Sequence, residues 1–222
     1  MVAVPTSQRE MRRTLRRAIE LGRQRIWRPA RAWTLRYGDR VFPLVAGALI
    51  AVTIVLPFWS LKLHAPQYIN GLQATIWLDH VSGDVAEIDG LNHYIGMRPL
   101  AEGGETERGL AVVAIPIMAG LTVLAAVRRR WFWLFAIPGI AFPFVFVADL
   151  FYWLYTFGNN LDPTAALSSS IKEFTPTILG TGRVGQFRTT AMFDSGFWLA
   201  LLAALLLALS LVSRRWKARQ RR

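Results

Sequence analysis

The chain has no cysteine. Disulfides, thiolate metal sites and thiol nucleophiles are thereby excluded. Histidine is almost as scarce: there are three, all between Leu61 and Gly109. Acidic residues are few, 14 against 26 Lys and Arg, for a net charge of +12. No phosphate-binding loop is present, and no Ser/His/Asp grouping has supporting context. There is no inverted repeat of apolar segments of the kind found in many transporters. The glycine spacing of a dinucleotide loop occurs in GTGRVG at Gly180–Gly185, but without the strand-then-helix setting that loop needs. The chain is therefore not expected to be an enzyme.

What the sequence does contain is long apolar blocks. Four of them, Val41–Leu61, Leu110–Val127, Trp131–Phe157 and Gly196–Ser213, are long enough to cross a bilayer, which takes roughly 20 residues of helix. Only one holds a charge, Asp149. The expected fold is an all-α membrane protein with four transmembrane helices and two connecting loops on one side, 62–109 and 158–195. Tryptophan and tyrosine gather at span ends, in WFW from Trp131 and YWLYTF up to Phe157, as interfacial belts do. Ala200, Ala204 and Ala208 form a small-residue stripe that lets helices approach closely.

Charge sets the expected orientation. Residues 1–40 carry eleven Arg against three acids, Arg128–Arg130 is a basic turn, and six Lys or Arg follow from Arg214. Segment 62–109 has three Lys or Arg and seven acids. Because cytoplasmic loops are rich in Lys and Arg, both termini are expected in the cytoplasm and the two long loops outside. The positive charge is then explained by membrane lipid, and no nucleic-acid partner is expected. Residues 7–36, with Arg interleaved among apolar positions, read as a basic amphipathic helix on the membrane surface, and 214–222 as a basic tail. The expected location is the cytoplasmic (inner) membrane of a bacterium.

The outer segments carry the unusual residues. ATIWL at 74–78 and VAEI at 85–88 read as short strands around Ser82-Gly83, a small hairpin. His93 and Met97 are four apart, and an imidazole with a thioether suits copper, particularly Cu(I). His64, just beyond the first span, could join them, so His64, His93 and Met97 are the candidate copper ligands. The competing reading is of histidines hydrogen-bonded within the loop, and Gly90 and Gly96 argue against a long helix there. Asp79, Asp84 and Asp89 read as solvated loop acids, since the tight alternation of a calcium loop is missing. Asp149, the only ionisable group inside a span, is a candidate by position, close to the outer edge of the apolar layer. Asn92, Tyr94, Asn159, Asn160 and Asp162 are candidate loop or partner contacts.

Three stretches, WSLKLHAPQY (Trp59–Tyr68), VSGDVAEIDGLNHYIGM (Val81–Met97) and ADLFYWLYTFGNNLDP (Ala148–Pro163), carry a resemblance. Over about residues 55–165, in matching order, the chain resembles a family of small bacterial multi-pass membrane proteins encoded beside nitrous oxide reductase and copper-delivery genes. The resemblance implies a partner role in maturing, supplying electrons to, or anchoring a copper enzyme outside the membrane, with copper as a cofactor to be considered. It transfers no catalytic residue, because the family has no assigned activity. The functional expectation is an accessory or assembly protein whose outer loops dock a protein partner. The alternatives are a subunit of a transport complex, with Asp149 lining a path, and a purely structural anchor.

Overall fold

A computed structural model describes residues 37–167, 170–184 and 187–220. The basic segment 7–36, expected as an amphipathic helix, lies outside the described residues. Four helices are long and apolar enough to cross a membrane: α1 (Tyr37–Val55), α3 (Glu105–Val127), α4 (Phe132–Asn159) and α5 (Ser195–Gln220). They leave large apolar side chains such as Leu110, Ile117, Phe144 and Leu205 exposed, as a lipid-facing surface would. By length and composition these four are candidate membrane spans, and they mark the chain as a membrane protein.

It is not all-α. Five strands, β1 (Trp59–Ala65), β2 (Tyr68–Ile76), β3 (Val81–Gly83), β4 (Gly180–Val184) and β5 (Phe187–Phe193), form one antiparallel sheet in the order β3-β2-β1-β5-β4. The two connecting segments 62–109 and 158–195 therefore fold together, joined where β1 pairs with β5 from Trp59↔Phe193 to His64↔Arg188. An eleven-residue helix, α2 (Val85–Ile95), packs Ile88 and Leu91 against Leu63, Leu72 and Ala74 of the sheet.

Three local differences from the sequence reading have physical causes. The first span stops at Val55 rather than Leu61. Pro57 follows Leu56, whose backbone is extended (φ −124°, ψ 144°), as residues before proline prefer. WSL therefore begins a strand, although hydropathy runs straight on. The segment 85–88 is helix instead of strand, because Ile88, Leu91 and Ile95 recur at helical spacing and cover the sheet. The hairpin expected there is β2–β3, with Ala74 opposite Gly83 and its turn over residues 77–80. At the other end α5 continues to Gln220, so Arg214, Arg215, Lys217 and Arg219 stand on helix rather than on a tail.

The bundle core is made of small and branched side chains, with Ala46 and Ile50 of α1, Ala119 of α3, Ala136 of α4 and Ala200 and Leu207 of α5 all buried. Gly139 marks a close approach: a Cβ there would lie 2.8 Å from Leu207 Cδ1, 3.0 Å from Thr122 Oγ1 and 3.1 Å from Ile50 Cδ1. All four spans meet at that point, which only glycine leaves open. At the end away from the sheet, Arg214 closes the bundle. Its Nη2 donates to the carbonyls of Asp39 (2.7 Å) on α1 and Ala125 (2.8 Å) on α3, and its guanidinium lies 4.0 Å from the centre of the Phe132 ring on α4. Lys217, three residues further along α5, pairs with the Asp39 carboxylate. The start of α1 and the end of α5 thus share one end of the bundle, and the sheet with α2 caps the other.

Candidate functional site

Strand parity divides the candidate residues between two faces of the cap. On β1 the residues Trp59, Leu61, Leu63 and Ala65 turn inward, toward α4 and α2. Lys62 and His64 therefore stand on the opposite, open face. His93 lies on α2, which covers the inner face. His64 is thus separated from His93 and Met97 by the sheet itself, and the expected three-ligand copper set does not assemble. Among the described residues no three His, Cys, Asp or Glu side chains gather as a metal-binding group.

His93 and Met97 do come together. They line an open cleft of about 860 Å³ with Tyr94, Asn159, Asn160 and Asp162. The cleft exists because the end of α2 is stitched to the segment following α4. Gly96 ends the helix in a left-handed conformation (φ 78°), its N–H returning to His93 O (3.3 Å) and that of Met97 to Asn92 O (2.9 Å). Asp162 N then donates to Gly96 O (2.8 Å) and Leu167 N to Tyr94 O (2.9 Å). A Cβ on residue 96 would lie 2.6 Å from Asp162 O, so glycine is required both for the turn and for the contact. The two glycines do not prevent a helix here; Gly90 sits within one and Gly96 terminates it.

Within the cleft Asp162 Oδ1 accepts from the Thr164 hydroxyl (2.7 Å) and from Thr164 N (2.8 Å). Those bonds, hydroxyl first, hold its carboxyl below the ordinary carboxylate range, and the nearby His93 acts in the same direction. Asn159 is occupied structurally: its Nδ2 donates to Tyr155 O (2.9 Å) and reaches Thr175 Oγ1 (3.2 Å). Asn92 is on the buried face of α2. Tyr94 and Asn160 are exposed. His80 is elsewhere, stacked on Trp77 (5.1 Å between ring centres) and bonded to Asp79 (2.7 Å) in the β2–β3 turn. Asp84 and Asp89 serve the backbone, accepting from Gln73 N (2.9 Å) and Leu100 N (2.6 Å). For copper the cleft offers one imidazole and one thioether from this chain, an incomplete donor set.

The open face of the sheet carries a feature that the sequence reading missed. His64 of β1 is register-paired with Arg188 of β5, and Arg188 with Arg183 of β4. One row along, Lys62 pairs with Thr190, and Thr190 with Thr181. Lys62, His64, Arg183 and Arg188 are all exposed, and none forms an ion pair among the described residues. The signal lay in the alternation GTGRV…FRTTAMF, within the segment 158–195 that the sequence reads only as a connecting loop. Gly180–Val184 is strand β4, which removes any setting for a dinucleotide loop.

Asp149 lies on α4, with Glu107 of the first turn of α3 close enough to act on it electrostatically. Both line a second, apolar cavity of about 750 Å³ between α3, α4 and the sheet. The sequence reads Glu107 as part of the loop 62–109; as part of α3 it gives Asp149 a neighbouring acid.

No family model matches the chain, and neither does any curated protein.

Proposed function

We propose that the chain is an integral-membrane accessory protein whose cap docks an acidic protein partner through the open face of its sheet. The observation that carries this is the row His64–Arg188–Arg183. Like charges directly opposite one another on a sheet destabilise it by an amount on the order of 0.2–1 kcal/mol per pair. An anionic surface laid on that face offsets the repulsion and gains from it, and such complementarity governs encounter rate and partner choice more than raw affinity. The Lys and Arg bias of the ends assigns them to the cytoplasm and the cap to the outside of a bacterial inner membrane. The resemblance to the nitrous-oxide-reductase-associated family suggests a copper protein as the partner.

The test places a photo-crosslinker at Thr190, in the centre of that face, in cells making the full chain. A single crosslinked partner with an acidic surface is expected. It should be lost from Arg183→Glu/Arg188→Glu and weakened at about 1 M salt, where screening shortens to ~3 Å. Unchanged crosslinking in the charge-reversed variant would refute docking at this face.

A second reading, copper handling, is favoured by His93 and Met97 sharing one open cleft, where a partner could complete the coordination. Under reducing copper, the wild type should retain metal that His93→Ala/Met97→Ala loses. His64→Ala should behave as wild type, because the sheet stands between. Equal copper in all three proteins argues against the cleft as a copper site.

A further inference from the structure

The apolar cavity between α3 and α4 is built as a slot with one polar end. Ala114 and Met118 of α3 and Phe142 and Val145 of α4 line its length, and Trp59 and Ile76 roof it from the sheet. At the end nearest the cap stand Glu107, Arg108, Asp149 and Trp153. Glu107 and Asp149 are in no ion pair among the described residues. Trp153 follows Asp149 by one helical turn. Its indole N–H leans toward that carboxylate without a well-formed hydrogen bond and is buried with no other partner. A Cβ built on Gly104 would lie 3.8 Å from Trp153 Nε1 and 3.9 Å from Glu107 Oε2, so α3 and α4 present these groups to one small space. Arg108 spends one donor on Ala101 O.

Two carboxylates at the edge of the hydrocarbon layer are costly unless paired. The set present, two acids with a guanidinium and a buried N–H donor, complements a zwitterion that carries an ammonium and a phosphate. At 750 Å³ the slot falls within the range of small-molecule sites.

We propose that this groove binds one aminophospholipid of the bilayer, of the phosphatidylethanolamine type. Its ammonium sits between Glu107 and Asp149, its phosphate meets Arg108 and the Trp153 N–H, and its acyl chains run down the slot past Ala114 and Met118. The apolar walls supply affinity without selectivity; the four polar groups supply the choice of headgroup.

The full chain, purified in mild detergent and incubated with phosphatidylethanolamine or phosphatidylglycerol vesicles, is examined by native mass spectrometry. One phosphatidylethanolamine per chain is expected, retained at least ~10-fold over phosphatidylglycerol. Glu107→Gln/Asp149→Asn should reduce that preference below ~2-fold with its melting transition intact. Ala114→Trp, which fills the slot, should abolish retention of either lipid and guards against misfolding of the double variant. Equal retention of the two lipids by the wild type, no retention, or an unchanged preference in the double variant would each overturn the proposal.

Discussion

Replacing Arg214 by Met should loosen the whole bundle, because that one guanidinium touches the other three spans. It donates to Asp39 O on α1 at 2.7 Å and to Ala125 O on α3 at 2.8 Å, and covers Phe132 on α4 at 4.0 Å. Hydrogen bonds involving a charged group contribute ~1.5–3 kcal/mol each, and a guanidinium over a ring ~0.5–2 kcal/mol. Interhelical polar contacts inside membranes average nearer ~0.6 kcal/mol, since separated helices find other partners. The low ends of the first two ranges give roughly 3.5 kcal/mol for Arg214, and the membrane value used for both hydrogen bonds roughly 1.7 kcal/mol. Unfolding in mixed micelles of rising SDS content, followed by tryptophan fluorescence, should therefore place Arg214→Met about 2–3.5 kcal/mol below wild type. Arg214→Lys should recover less than half of the loss, because an ammonium keeps the charge but cannot span two carbonyls and a ring in one plane. A Met variant within ~0.5 kcal/mol of wild type, the range of an ordinary surface substitution, would refute the clamp.

Gly96→Ala should cost about 2–4 kcal/mol, combining a left-handed backbone with the overlap on Asp162. Hydrogen exchange over residues 158–167 should accelerate far more than in the spans; uniform acceleration, or none, would contradict the stitching role. Asp162 has a folded pKa below its unfolded value of ~3.9. Its contribution is therefore complete above that value and is lost as pH falls through the folded pKa. The Thr164 amide should stay protected from pH 7 down to about 4 and lose protection only below that; loss already at pH 5 contradicts the assignment.

Length and composition made the four spans legible, because a bilayer demands about 20 apolar residues in a row and little else in the chain supplies them. The alanine stripe of α5 packs in part: Ala200 and Ala204 are buried against the bundle and Ala208 is half-buried. Local pattern misled wherever one signal overlay another. WSLKLHA continued the hydropathy of α1 beyond the proline that ends it, and VAEI alternates like a strand while its longer spacing is helical. The residues of GLNHYIGM and GNNLDP were singled out separately, and His93, Met97, Asn160 and Asp162 now share a cleft. Nothing in either stretch announced the other, since 60-odd residues of membrane helix and loop lie between them.

The sequence by itself determined four segments long and apolar enough to span a membrane, with the unusual polar residues concentrated in the connecting segments. Hydropathy and charge act residue by residue and can be summed along a chain. Only the tertiary structure decided which of those residues meet. The pairing of β1 with β5 puts His64 beside Arg188, with Arg183 one strand beyond, and strand parity places the sheet between His64 and His93. The packing of α3 against α4 brings Glu107 to Asp149. Pairing register and helix contact depend on partners distant in sequence, and a shift of one residue in a strand would turn every one of its side chains to the other face.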